Sequence, residues 1–387
     1  MNDQERPMRI AMFSRFPADV DQPKGGVEAA TVSLARGLGS RPDIKLHVIT
    51  LEKQRQRDSI ETTEFADIHR LAGSRMPMML DVFNGPGRKK INRYISGLRP
   101  DVVHFQETYG FGGPCPDVPT VFTVHGFDSL NLATERKYLW RLRAPLWRIA
   151  ERKGIRSQKH LVSIAPYVTE RLEKLASAEI VPIPNAISPE FFSVTNEPVS
   201  GRVLFAGWVN ERKNLIAAIG AISKLVQQGA DVSLHAAGAF VDESYAEKAR
   251  RLIDQHRLQH RVKLLGRISQ VELRRELSQA SLFLLPSLQE NAPMAIAESM
   301  AAGVPVVTSN VCGMRTMVED GQTGFLIEPR NVGQIAEKVG TLLLDESLRT
   351  RMGRYARAYA LQTYHPDAVV DKTASLYRRI ANSGVRH

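Results

Sequence analysis

Short apolar runs alternate with amphipathic stretches along almost the whole chain. Ile10 to Ser14 reads as a strand, and Val27, Ala30, Leu34 and Leu38 then recur at helical spacing. Further strands are predicted at Lys45 to Leu51, Val102 to Phe105, Val121 to Val124 and Leu161 to Ile164, the last followed by a helix over VTERLEKLA. IVPIPNAISPEFF reads as the end of this series, and Asn196 to Ser200 as a linker. A second series opens with a strand at Val203 to Ala206 and a helix at Leu215 to Gln228, and continues through Val232 to Ala236 and Val262 to Leu264. Asn331 to Ile380 reads as a long helical stretch broken near His365-Pro366. This alternation predicts doubly wound parallel sheets. At 387 residues the chain is too long for one core, so two domains are expected.

The most informative stretch is SLFLLPSLQENAPMAIAESMAAGVPVV. Leu282 to Leu285 reads as a buried strand, Pro293 to Ala302 as a helix ended by Gly303, and Val304 to Thr308 as the next strand. Glu290 then sits at the carboxyl end of a strand, where open α/β sheets bind ligands. Glu298 lies eight positions on. A helical path between the two would span roughly 12 Å. That is long for two acids flanking one glycosidic bond, which stand about 5–9.5 Å apart. It suits a ligand with hydroxyls at both ends and a diphosphate in the middle, its phosphates met by the helix start. The opposing reading makes Glu290 a helix cap and Glu298 a solvated charge.

Charge points the same way. The chain carries a net charge of +11, which implies anionic partners. No nucleic-acid motif occurs, so nucleic acid is not expected. Arg136 to Lys159 holds nine Lys/Arg against one acid, Glu151, with Trp140 and Trp147 one heptad apart. Such a segment is either a helix lying on an anionic membrane or a solvated face whose tryptophans pack inward. Cys115 and Cys312 read as thiols of a reducing compartment. The N-terminus lacks the apolar core of a signal peptide, and no apolar run approaches the roughly 18 residues of a span. A cytoplasmic protein is expected, with peripheral attachment to the inner face of the plasma membrane as its route to lipid.

The residues from Gln289 to Pro329 resemble the donor-site signature of glycosyltransferase family 4, the group 1 glycosyltransferases. The resemblance rests on Glu290 and Glu298, Gly303-Val304-Pro305-Val306-Val307 and Asp320-Gly321-Gln322-Thr323-Gly324. It implies the GT-B fold: two Rossmann-like domains facing a central cleft, here residues 1–195 for the acceptor and 196–364 for the nucleotide-sugar donor. Residues 365–387 would form a helix crossing back to the first domain. It also implies a retaining transfer of a hexose from a nucleotide-diphosphate sugar to a glycan, lipid-linked or small-molecule hydroxyl. Glu290 would contact the sugar and Glu298 the ribose hydroxyls, with Ala292 and Met294 lining the donor site. His125, at the end of TVHGFD, would contact the transferred sugar, and Gly25-Gly26 would face donor and acceptor.

Arg212-Lys213 follow the first strand of the second series, where adjacent cations can neutralise a diphosphate. Lys213 fits the family lysine. Trp208 replaces the usual arginine, so Arg212 either substitutes for it or one phosphate contact is lost. Cys312-Gly313-Met314-Arg315-Thr316 lacks the first glycine and the acid of the family's Gly-Gly-x-x-Glu turn, and Arg315 could reach phosphate instead. No metal or other cofactor is expected, because basic residues can do the metal's work; Asp19-Val20-Asp21 is the one candidate metal triplet. Two rival functions remain open: a non-catalytic nucleotide-sugar binding protein, and an epimerase or phosphorylase on the same fold.

Overall fold

The computed structural model describes residues 6–73, 85–106, 118–127, 129–130 and 140–384. The chain divides into two compact units, Met1–Ile187 with Pro366–His387, and Ser188–His365.

The first unit is built on an eight-stranded sheet: β1 (Met8–Phe13), β2 (Ile44–Glu52), β3 (Ser59–Thr62), β4 (Asp67–Ala72), β5 (Val102–Phe105), β6 (Thr120–Val124), β7 (His160–Ser163) and β8 (Glu179–Pro182). Their order is β3-β4-β2-β1-β5-β6-β7-β8. The central strands read as continuous apolar runs because both faces are covered; β5 and β6 are buried throughout. All pairs are parallel except β3 with β4, an antiparallel edge absent from the expected all-parallel sheet. Every residue of β3 is exposed, so it carries no apolar pattern to read. The helix Gly26–Gly39 covers one face, and the helix Pro366–Gly384 packs beside it. Val369, Val370, Ala374, Leu376, Tyr377 and Ile380 of that last helix share one core with Leu34, Leu38 and Ile10.

The second unit carries a six-stranded parallel sheet: β9 (Arg202–Ala206), β10 (Ser233–Ala237), β11 (Val262–Gly266), β12 (Leu282–Leu285), β13 (Val306–Ser309) and β14 (Gly324–Ile327), in the order β11-β10-β9-β12-β13-β14. Chain direction reverses across the sheet between β9 and β12, so the loops leaving those two strands open at a topological switch point.

Three boundaries differ from the sequence reading. The units part after Ile187 rather than at residue 195, because Phe191 is fully buried in the second unit and Arg357 donates to the carbonyls of Phe192 and Val194. The expected linker at Asn196 to Ser200 is likewise fixed there, with Asn196 Nδ2 donating to the Leu277 and Ala280 carbonyls at 2.9 and 3.0 Å. The long C-terminal helical stretch is three helices, Val332–Leu344, Glu346–Tyr364 and Pro366–Gly384. The additional break is Asp345, whose carboxylate accepts from Leu348 N at 2.8 Å as an N-cap.

Candidate active site

In the second unit, the loop after β9 turns through a 3-10 helix, Glu211–Lys213, capped by Asn210, whose side chain accepts from Lys213 N at 3.0 Å. Asn214 then takes a left-handed φ of 59° and donates to the Pro286 and Pro329 carbonyls at 3.0 and 2.8 Å. Those bonds tie this turn to the loop after β12. The result brings residues far apart in sequence onto one carboxylate. Arg212 Nη1 lies 2.6 Å and Lys213 Nζ 2.9 Å from Glu290 Oε1. Arg212 also donates to the Gln289 carbonyl at 2.9 Å.

Lys213 and Glu290 are buried and Arg212 is half-buried. Burial alone would raise the Glu290 pKa, but Lys213 and Arg212 outweigh it and hold the carboxyl below its ordinary range. Burial pushes the Lys213 ammonium down, against the pull of Glu290. Gly207 makes room for the lysine: its φ is 136°, and a Cβ there would stand 3.0 Å from Lys213 Cε.

Both halves of the opposing reading fail. The helix Met294–Ala301 has Pro293 at its N-cap and no side-chain cap, so Glu290 does not close it. Glu298 is 7% exposed, and burial pushes its pKa up to about 7, with Lys213 as the opposing influence. The expected helical path between the two acids is also corrected, because regular helix starts only at Met294. Ala292 and Met294 flank that helix start and are half-buried.

The atypical turn is closed by its own backbone and side-chain contacts. Cys312, a free thiol in place of the usual glycine, holds a left-handed φ of 51°. Gly313 donates to the Glu290 carbonyl at 2.9 Å, and a Cβ on it would come within 1.5 Å of the Asn291 carbonyl oxygen. That glycine is obligatory. Thr316 turns its hydroxyl back to the Gly313 carbonyl at 2.8 Å. Arg315 and Trp208 are exposed.

In the first unit, His125 lies just past β6, and its Nε2 is 2.8 Å from Gln106 Oε1. Burial lowers its pKa to about 4, so the ring is neutral. Gly25 is the extended N-cap of the helix Gly26–Gly39 and leaves that helix start without a side-chain cap. Asp19 and Asp21 are otherwise engaged. Asp19 accepts from Asp21 N and Gln22 Nε2, both at 2.9 Å, and Asp21 pairs with Arg36 at 2.5 Å.

The helix Trp140–Arg156 buries Ala144, Trp147 and Ile155. Its acid, Glu151, is also buried, accepting from Ser129 N at 2.9 Å and Ser129 Oγ at 2.6 Å. Arg141, Arg143, Arg148, Arg152, Lys153 and Arg156 are exposed, with Leu146 56% and Ile149 65% exposed among them. Cys115, residues 136–139 and the Trp140 side chain lie outside the described residues. Among the described residues, no helix is long and apolar enough to cross a membrane.

Two family models divide the chain: Glycosyltransferase Family 4 matches residues 24–191, and Glycosyl transferases group 1 matches residues 189–359. The chain belongs to the group 1, family 4 glycosyltransferases. It is 29% identical to glycogen synthase of Mycobacterium tuberculosis over 296 residues, 72% of this chain and 69% of the relative. Among solved structures, the sucrose-phosphate synthase of Thermosynechococcus elongatus superposes with a TM-score of 0.79 at 17% identity, covering 97% of this chain and 100% of that one. Anabaena HepE in complex with UDP and glucose superposes with a TM-score of 0.73 at 16% identity, covering 96% and 100%. Both share the fold, which is GT-B. The trio of Arg212, Lys213 and Glu290 therefore sits in a glycosyltransferase.

Proposed function

We propose that this glycosyltransferase is a retaining enzyme that moves a hexose from a nucleoside-diphosphate sugar to a hydroxyl of a glycan or lipid-linked acceptor. The observation that carries this reading is the pairing of Glu290 with both Arg212 and Lys213 beside an uncapped helix start. Two cations on one carboxylate leave a net positive charge, and the free N–H groups of the helix add to it. That field favours a diphosphate, most of all as its charge grows on departure. HepE's complexes with UDP and with UDP-glucose support a nucleotide sugar as the ligand.

In the reaction, the bond from the anomeric carbon to the diphosphate oxygen breaks, and its electrons leave with the phosphate. The acceptor hydroxyl bonds to the same face of that carbon, and its proton passes to the departing phosphate. Arg212 and Lys213 stabilise the leaving group without a metal. Glu290, committed to its two cations, orients the sugar rather than attacking it. His125 meets a sugar hydroxyl, and Glu298 accepts from the ribose hydroxyls, for which it must be ionised.

The outward face of the helix Trp140–Arg156 supports peripheral attachment to an anionic membrane. Its acid is turned inward, leaving cations around Leu146 and Ile149.

The test is a thermal-shift screen against UDP-, GDP- and ADP-sugars, then product analysis by NMR with the stabilising donor and a broad acceptor panel. A product with the donor's anomeric configuration is expected. Inversion would overturn the retaining mechanism. Donor binding with neither transfer nor hydrolysis would make the chain a binding protein.

A further inference from the structure

Arg70, on β4, is 3% exposed, and the reaction as proposed makes no use of its charge. Its Nη1 lies 2.8 Å from Glu52 Oε1 at the end of β2, and its Nε 3.3 Å from Glu61 Oε2 on β3. Its Nη2 donates to the Pro17 carbonyl at 2.9 Å, and more weakly to the Ala18 carbonyl at 3.4 Å. Burial alone would raise the Glu52 pKa, but Arg55 and Arg70 outweigh it and hold the carboxyl below its ordinary range. A buried charge is tolerated only when paired. The two acids therefore seat the guanidinium, and the guanidinium fixes the chain at Pro17. This gives β3, exposed along its whole length, a purpose: it carries Glu61. It is held in turn by Arg55, which donates to Ser59 Oγ at 2.8 Å, and by Thr62, which donates to Asp67 at 3.0 Å.

Pro17 lies in the loop that leaves β1. That loop stands at the topological switch point of the first sheet, because β2 flanks β1 on one side and β5 on the other. Across the opening is Gln106, whose backbone N–H donates to the Phe13 carbonyl at 2.9 Å. His125 is bonded to the Gln106 side chain. Farther along the loop the ties are exposed. Asp21 pairs with Arg36, and the Lys24 N–H donates to Glu28 at 2.7 Å. Such surface ties hold weakly. Arg70 braces the loop from inside, where water does not compete.

We propose that Arg70 is a positioning residue for the acceptor: through the Pro17 carbonyl it holds the loop after β1 in the shape that borders the acceptor's place beside Gln106 and His125. The assignment to the acceptor rests on the proposed transferase reading, in which Arg212, Lys213 and Glu290 of the second unit take the charged donor. Gln106 and His125 are uncharged and suit a partner that brings a hydroxyl. A loop already in its bound shape spares the acceptor the cost of ordering it. Loss of the brace therefore weakens acceptor binding and leaves the chemical step alone.

The experiment uses the full chain with Arg70→Lys, which keeps a charge for Glu52 and cannot also span Glu61 and the Pro17 carbonyl. With a working donor and acceptor pair, the acceptor KM should rise about tenfold, the worth of one hydrogen bond to a charged group, while donor KM and kcat stay within about twofold. If Arg70→Lys does not fold, Glu61→Gln replaces it; Glu61 is exposed on an edge strand, and its acceptor KM should rise about threefold, as for an exposed ion pair. Hydrogen exchange read by mass spectrometry on the unliganded chain should show residues 15–24 opening faster in either variant, with residues 286–294 unchanged. A folded variant with wild-type exchange in that loop overturns the brace. Faster exchange with an unchanged acceptor KM overturns the positioning role, and an equal rise in donor KM overturns the assignment to the acceptor. Faster exchange in a variant of a protein whose wild type binds no nucleotide sugar would keep the brace and discard the transferase reading.

Discussion

Past β12, three charged side chains meet in a buried spot; past β5 and β6, the buried polar side chains are neutral. In the first place Glu290 is held between Arg212 and Lys213. In the second, His125 meets Gln106, and His104 meets Thr123 and Tyr377, through neutral groups. The difference follows from cost. A buried charge is tolerated only when paired, and removal of one partner strands the other. A neutral network loses only the bonds themselves, about 0.5–1.5 kcal/mol each. The charged cluster is suited to a ligand that carries charge, and the neutral one to a ligand that carries hydroxyls.

Removing one ion should separate the two regions most sharply. Glu290→Gln leaves Lys213 buried and Arg212 half-buried without their counter-ion and should cost about 3–5 kcal/mol of stability. His125→Gln should cost under about 1.5 kcal/mol, yet still abolish most activity. Urea denaturation of both variants checks this, and equal destabilisation would erase the distinction.

Glu298 tests the charged side alone. Glu298→Ala should weaken nucleotide-sugar binding by about 1.5–3 kcal/mol, measured by calorimetry on the folded variant. Its ionisation gives a second handle. The folded pKa of about 7 stands above the ordinary 4.5, so the folded state holds this proton more tightly than the unfolded chain. Its contribution to stability is therefore full below about pH 4.5 and lost as the pH rises through about 7, a change of about 3 kcal/mol. Glu298→Gln should flatten that slope. Ribose hydroxyls favour the ionised carboxylate, so UDP titrated at pH 6.5 should expel a proton. Heats that do not depend on buffer ionisation would remove the ribose role.

Smaller effects belong to the surface. Each cation on the outer face of the helix Trp140–Arg156 should add about 1 kcal/mol to binding anionic vesicles at low salt. Charge reversal at Arg141, Arg148 and Arg152 should reduce co-sedimentation and leave donor affinity unchanged. A wild-type protein that ignores such vesicles at low salt makes this a solvated face. The smallest expected effect is that of EDTA, which should leave transfer intact because Arg212 and Lys213 stabilise the leaving diphosphate. Full loss restored by manganese or magnesium would make Asp19 and Asp21 metal ligands.

Much of the second unit was legible in the sequence. Leu282 to Leu285, Glu290, Glu298 and Lys213 stand in a short, patterned stretch or beside one, and a strand buried on both faces announces itself. Other elements gave no such signal. β3 is wholly exposed, β4 buries His69 and Arg70, and β14 begins at a glycine pressed against the Val306 carbonyl. Apolar periodicity cannot report polar edges or close backbone contacts.

The sequence alone determined the two α/β series, the family and the two acids that follow β12, because each depends on residues near one another in the chain. The tertiary structure decided which partners those residues meet. Arg212 and Glu290 come together only because β9 lies beside β12, and Asn214 ties their loops. Cys312 holds the left-handed turn of a missing glycine because Gly313 is pinned to the Glu290 carbonyl. Tyr377 reaches His104 only because the last helix packs into the first unit's core. Contacts of such long range are set by strand order and packing, which no local pattern encodes.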